Sequence, residues 1–212
     1  MSDPDISAPG LTEEEINRLH REKMERRQAA RRRVLATKTE ERGLLIVHTG
    51  SGKGKTTAAF GMVLRCIGHG MRVGIVQFVK GAWGTGERTV LAQFPDLVTC
   101  RAMGEGFTWD TKDRARDIAA AHAAWEMAKV MLADPTYRLV LLDELNIVLR
   151  YGYLPVDQVV AALKAKPRDL HVVVTGRNAP PELIEAADLV TEMTLVKHPF
   201  RAGVKAQPGI EF

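Results

Sequence analysis

Leu44-Leu45-Ile46-Val47-His48-Thr49-Gly50-Ser51-Gly52-Lys53-Gly54-Lys55-Thr56-Thr57 is an apolar run, then a glycine-rich turn, then the start of a helix-forming segment. That order of strand, loop and helix is the arrangement of a phosphate-binding loop. Glycines let consecutive backbone N–H groups face phosphate oxygens with no Cβ in the way, and a helix N-terminus adds partial positive charge. Lys55 would bring a point charge to the phosphates, and the Thr56 hydroxyl is placed to ligate a divalent cation. The strict pattern G-x-x-x-x-G-K-[ST] asks for glycine at position 49, where this chain has threonine and places glycine one residue later. A glycine-rich turn with an incidental lysine is the plainer alternative, and the context of strand and helix argues against it. The phosphate-binding set expected here is Gly50, Ser51, Gly52, Lys53, Gly54, Lys55, Thr56 and Thr57.

Outward from the loop, the rest of the chain alternates between strand-like and helix-like blocks. Strands are expected at 44–48, 72–79, about 97–101, 138–143, 170–175 and 188–194, and helices at 55–68, 111–133, 156–165 and 180–187. Several strands are unbroken Val/Ile/Leu runs, as strands covered on both faces require. The longest helix would start at an Asp110 cap and put Ile118, His122, Trp125, Lys129 and Leu132 on one side. Repeated β-then-α units predict an α/β fold of the P-loop NTPase-like (RecA-like) kind. Its sheet would be open and mostly parallel, with helices on both faces and ligands at the carboxyl ends of the strands.

Before this domain comes a different kind of sequence. Residues 1–10 hold Pro4, Pro9 and Gly10 and read as disordered, and Thr12-Glu13-Glu14-Glu15 is a helix start with acids in its first turn. Helix formers continue to about Ala36, with sparse apolar positions (Ile16, Leu19, Met24, Val34, Leu35) and eight Arg or Lys against two Glu between Arg18 and Arg33. Such a helix buries little alone, so it is either solvated or docked on something. The division expected is a basic N-terminal extension over 1–42 and a nucleotide-binding domain over 43–212.

At 212 residues and 45% hydrophobic content the chain can bury a substantial core. No apolar run approaches the roughly 18 residues of a membrane span, and the acidic N-terminus lacks the apolar stretch of a signal peptide. A cytoplasmic location is therefore expected. Cys66 and Cys100 stand far apart and without metal spacing, as buried free thiols do in a reducing compartment. A net charge of +4 does not by itself argue for nucleic acid. The six histidines do not cluster as metal ligands, and His48 and His171, inside apolar strands, read as hydrogen-bonded core residues.

Leu139-Val140-Leu141-Leu142-Asp143-Glu144 is an apolar strand ending in two acids. In phosphate-loop proteins a carboxylate at this place holds the Mg²⁺ that bridges the phosphates. Asp143 and Glu144 are both candidates, with Thr56 as a third ligand and Mn²⁺ as an alternative ion. Arg177 follows the strand at 171–175, where it would meet a phosphate or ribose or serve only as surface charge. Lys80, Trp83 and Glu87 follow the second strand and could line the cleft, whereas Arg65 reads as a solvated face.

Several segments occur in a telling order: Thr49 to Gly61, Phe78-Val79-Lys80-Gly81, Gly104-Glu105-Gly106-Phe107-Thr108-Trp109, Asp143-Glu144-Leu145-Asn146 and Thr175-Gly176-Arg177. Together they resemble the ATP:corrinoid adenosyltransferases that share the P-loop fold, across roughly residues 43–212. In that family Thr49 in place of the first glycine is a trait and not damage. The resemblance implies that a corrinoid reduced to Co(I) attacks the 5′ carbon of ATP and expels triphosphate. The nucleophile then belongs to the corrinoid and no catalytic triad is needed. It implies that Lys55 acts on the triphosphate, and that Phe107 and Trp109 sit below the corrin and displace the lower cobalt ligand. The alternative for Trp109 is a cap on the core. Also implied are ATP and reduced corrinoid as substrates, a flavin-dependent reductase as electron donor, a homodimer, and an N-terminal segment that folds over the site. A nucleic-acid or membrane partner is not expected. Two other classes share the same loop: an NTPase or kinase acting on the γ-phosphate, and a nucleotide-switched binding module that uses the basic helix on RNA. The Phe107/Trp109 segment separates the first reading from both.

Overall fold

The computed structural model of the protein describes residues 12–79, 86–102 and 113–210. The chain divides after Glu41 into two units.

In the first unit, α1 spans Glu13–Ala36 and buries no residue. Local chemistry sustains it. Thr12 caps its N-terminus, its hydroxyl accepting from the Glu15 N–H while the Glu15 carboxylate accepts from the Thr12 N–H at 2.9 Å. Glu13, Glu14 and Glu15 face the positive end of the helix dipole.

The second unit holds a six-stranded sheet of β1 (Leu45–Thr49), β2 (Val73–Gln77), β3 (Val98–Ala102), β4 (Leu139–Asp143), β5 (His171–Thr175) and β6 (Leu189–Glu192). Every pairing is parallel and the order is β3-β2-β4-β5-β1-β6. All the strands therefore point their carboxyl ends to one edge. β5 stands between the loop-bearing β1 and the acid-bearing β4.

Both faces of the sheet are covered, and the two-residue period of the strands sorts their side chains. Leu45, Val47, Val140, Leu142, Val172 and Val174 face one core, shared with α4 (Arg114–Ala133), α5 (Leu145–Arg150), α6 (Val156–Lys164) and α7 (Pro181–Ala186). Ile46, Leu139, Leu141 and Val173 face the other, packed under α2 (Lys55–Gly68) and α3 (Gly86–Leu91). Residues 45–47, 139–142 and 172–174 are apolar at every position because each neighbour in the sequence serves a different core.

Several expectations are corrected here. The long helix is capped by Asp113, which accepts from the Arg116 N–H at 3.1 Å, and starts at Arg114; Asp110 lies outside the described residues. Its buried face is Ala121, Ala124, Trp125, Ala128, Met131 and Leu132, while His122 and Lys129 are exposed. Three alanines let α4 approach the sheet closely, with Trp125 as the large side chain. α3 and α5, six residues each, were not anticipated. The strand expected at 188–194 is β6, Leu189–Glu192, an edge of the sheet with every residue exposed. Cys66 and Cys100 are free thiols, half-buried instead of buried, and partial burial pushes both up from the usual thiol range. Arg65 is exposed, and among the described residues no helix is long and apolar enough to cross a membrane.

Candidate nucleotide and cation site

The phosphate-loop candidate begins where β1 ends. Gly50 (φ 95°) and Gly54 (φ 101°) take the left-handed backbone that L side chains rarely adopt. Close approach adds a second demand for glycine. A Cβ at Gly50 would lie 2.4 Å from the Met193 carbonyl oxygen, and one at Gly52 would lie 2.6 Å from that of Thr194. The chain leaving β6 braces the loop: Met193 N–H donates to the Thr49 carbonyl at 2.9 Å, and Gly52 N–H donates to that of Met193 at 2.6 Å. Thr49 has its own use for a side chain, because its hydroxyl accepts from the Ala179 N–H at 3.0 Å. Gly54 caps α2 and brings no side chain to the helix N-terminus.

Lys55 opens α2 and is only 6% exposed. Its ammonium donates to the carbonyls of Gly50, at 2.9 Å, and Gly52. Burial pushes its pKa down, the Glu144 carboxylate opposes that shift, and Arg177 and Lys53 add to it. Buried His48 bonds through Nδ1 to the Lys55 carbonyl at 3.2 Å, so the proton sits on Nδ1.

Asp143 ends β4 and is buried among donors from three other elements. Its Oδ1 accepts from the Thr56 hydroxyl at 3.0 Å and the Thr175 hydroxyl at 2.7 Å, and its Oδ2 from the Gln77 amide at 3.3 Å. Burial raises its pKa and these three hydrogen bonds oppose the rise. Glu144 follows with φ 61° and ψ 20°, a left-handed conformation outside glycine. Its N–H donates to the Thr175 hydroxyl at 2.9 Å, while its Oε2 is buried and has no hydrogen-bond partner among the described residues. Burial, then the Asp143 charge, push its carboxyl up to about 6, against the pull of Lys55, Arg177 and Arg150. One acid accepts from three side-chain donors and the other holds an oxygen with no hydrogen-bond partner among the described residues.

Asn146 is fully buried and donates through Nδ2 to the Gly176 carbonyl at 2.9 Å, tying the turn that carries Arg177 to α5. Gly176 has φ 127°, and a Cβ there would lie 2.8 Å from Asn146 Cβ.

The sheet order brings these pieces to one cavity of about 670 Å³ at the carboxyl ends of the strands. Gly52, Lys53, Gly54, Lys55, Thr56 and Thr57 line it together with Asp143, Glu144 and Arg177. Gly50 lies deeper and is buried, Ser51 is exposed, and neither lines the cavity. Glu87 reaches it as expected, from α3. Phe107, Trp109, Lys80 and Trp83 lie outside the described residues. Gln77 and Thr175 belong to the same cluster and were given no role in the sequence reading. Their signal is positional, since each is a polar residue ending an apolar strand beside the acid strand.

Asp143, Glu144 and Thr56 offer only oxygens as ligand atoms, and the Glu144 Oε2 left without a hydrogen-bond partner among the described residues suits a hard cation. Among the described residues no group of three or more His, Cys, Asp or Glu could hold a metal alone. Mg²⁺ does not need one, because it keeps several waters and takes one or two carboxylates plus substrate phosphates.

Parallel sheet, glycine-rich loop at a helix N-terminus, buried lysine and strand-end acids define a nucleotide-binding α/β protein of the phosphate-loop class. The sequence profile of the ATP:corrinoid adenosyltransferases BtuR/CobO/CobP matches residues 41–212. A corrinoid adenosyltransferase of Pseudomonas aeruginosa is 58% identical over 198 residues, 93% of this chain and 98% of the relative. One from Sinorhizobium is 54% identical over the full length of both, and the corrinoid adenosyltransferase CobA of Salmonella typhimurium is 49% identical over 89% of this chain and 96% of its own. The chain belongs to the ATP:corrinoid adenosyltransferase family.

Proposed function

We propose that the protein transfers the 5′-deoxyadenosyl group of ATP to the Co(I) of a reduced corrinoid and releases inorganic triphosphate. The observation that carries this reading is the cavity lined jointly by the loop, Lys55, the acid pair and Arg177 in a chain of this family. The reaction forms a Co–C bond with the electron pair of Co(I) and breaks the C5′–O bond, whose pair leaves on the triphosphate. The developing charge falls on the leaving group, so the protein's task is electrostatic.

The loop from Lys53 to Thr57, which lines the cavity, would cradle the triphosphate with backbone N–H groups at the N-terminus of α2, with Gly50, Ser51 and Gly52 shaping the turn before it, and Lys55 would add a buried positive charge. Arg177, exposed at the rim, would contact the outer phosphates or the ribose. Thr56, Glu144 and Asp143 would hold Mg²⁺, or Mn²⁺ in its place. The free oxygen of Glu144 favours it as the direct carboxylate ligand, with Asp143 already engaged by three donors. When bound, the ion would neutralise phosphate charge as the leaving group departs. Phe107 and Trp109 would wall the corrin's lower face with groups that offer cobalt no lone pair.

We further propose a cytoplasmic homodimer that receives its electron from a flavin-dependent reductase, with the basic helix α1 serving the corrinoid step. The test of the reaction is spectroscopic. With ATP, Mg²⁺ and a chemically reduced corrinoid, the enzyme should convert the Co(I) spectrum to that of a light-sensitive alkyl-cobalt product. An unchanged spectrum under turnover conditions would remove the reading.

A further inference from the structure

Thr175 ends β5, the strand between the loop strand and the acid strand, and pairs with His48 of β1 across the sheet. It is fully buried. One hydroxyl there makes two hydrogen bonds in opposite senses. It accepts from the Glu144 N–H at 2.9 Å and donates to Asp143 Oδ1 at 2.7 Å. The direction is fixed by chemistry, because an amide N–H can only donate and the hydroxyl has one proton to give.

We propose that Thr175 is a positioning residue that sets both acids of the cation site through this one hydroxyl. Its acceptor lone pair holds the Glu144 peptide in a left-handed turn that a non-glycine residue does not adopt freely. That turn fixes where the Glu144 side chain leaves the backbone. Its proton, with that of Thr56, meets the same oxygen of Asp143, so the carboxylate is held between β5 and α2. A hydroxyl that only satisfied itself would need one partner. This one links consecutive acids whose carboxylates must differ in availability. The inference rests on the cation site proposed above.

Metal binding is the direct readout, independent of which product the enzyme makes. Thr175→Val keeps the β-branched shape and loses the hydroxyl; Thr175→Ser keeps the hydroxyl and loses a methyl. Both are titrated with Mn²⁺ in the presence of a non-reactive ATP analogue, following the ion by paramagnetic resonance, with nucleotide binding measured separately without metal. In the valine variant the Mn²⁺ midpoint should rise roughly 10-fold or more, the usual cost of losing an orienting partner. Metal-free nucleotide binding should stay unchanged, and the serine variant should behave as the wild type. If valine prevents folding, Thr175→Ala takes its place in the comparison. An unchanged midpoint without the hydroxyl, or an equal loss in the serine variant, would overturn the role. Release of ADP and phosphate by the wild type would refute the adenosyl-transfer reading and leave this result standing.

Discussion

Lys55 shows how one residue can be read from sequence in kind but not in detail. Its place after Gly54 predicts a phosphate contact; its burial and its bonds to the carbonyls of Gly50 and Gly52 could not be read there. Those bonds depend on a loop shape set by Met193 and Thr194, which lie some 140 positions later. Replacing Lys55 with alanine should lower turnover by about 10²–10³, a few kcal/mol of lost charge stabilisation in the transition state. Near-normal turnover at saturating ATP would show that the loop does not hold the triphosphate. The acids divide similarly. An apolar strand ending in Asp143-Glu144 announces a cation site, but neither residue can be preferred from their order alone. The preference comes from Thr175, Gln77 and Thr56 converging on Asp143 and leaving Glu144 Oε2 bare.

At the scale of elements, the central strands were legible because they carry short unbroken apolar runs, as at 44–47, 139–142 and 172–174. β6 was read as a strand too, but its place at the exposed edge of the sheet could not be read from its residues. α3 and α5 were missed because six residues are too few to show a helical period. The junction of β1 and β5 carries a pH-dependent bond of its own. His171 Nδ1 accepts from the Leu44 N–H at 3.2 Å, which requires that nitrogen unprotonated. Burial, with Arg138 and Lys166, lowers its pKa below the ordinary 6.5. The unfolded chain therefore binds this proton first as pH falls, so the contribution to stability is complete above about 6.5 and declines below it. Urea midpoints at pH 7.5 and 5.5 should fall further for the wild type than for His171→Asn, which cannot take up that proton. Equal declines would take His171 out of the account.

Over the whole molecule, the sequence announces both the α/β character and the break in composition before residue 43. The strand order was beyond it, because parallel strands of similar composition give no sign of which lies beside which. That order matters, since placing β5 between β1 and β4 is what brings Thr175 to Asp143 and Glu144. α1 buries nothing, so removing residues 1–36 should leave the thermal midpoint and ATP affinity of the remainder unchanged. The apparent KM for the corrinoid should rise, and an unchanged KM would mark the helix as a tail. The central claim is that this phosphate loop serves a leaving group and not a transferred phosphoryl. Its most direct test is phosphorus NMR of the products formed from ATP, Mg²⁺ and a Co(I) corrinoid. Inorganic triphosphate should appear in equal amount to the adenosylated corrinoid; ADP and orthophosphate in its place would contradict a leaving-group role for the loop.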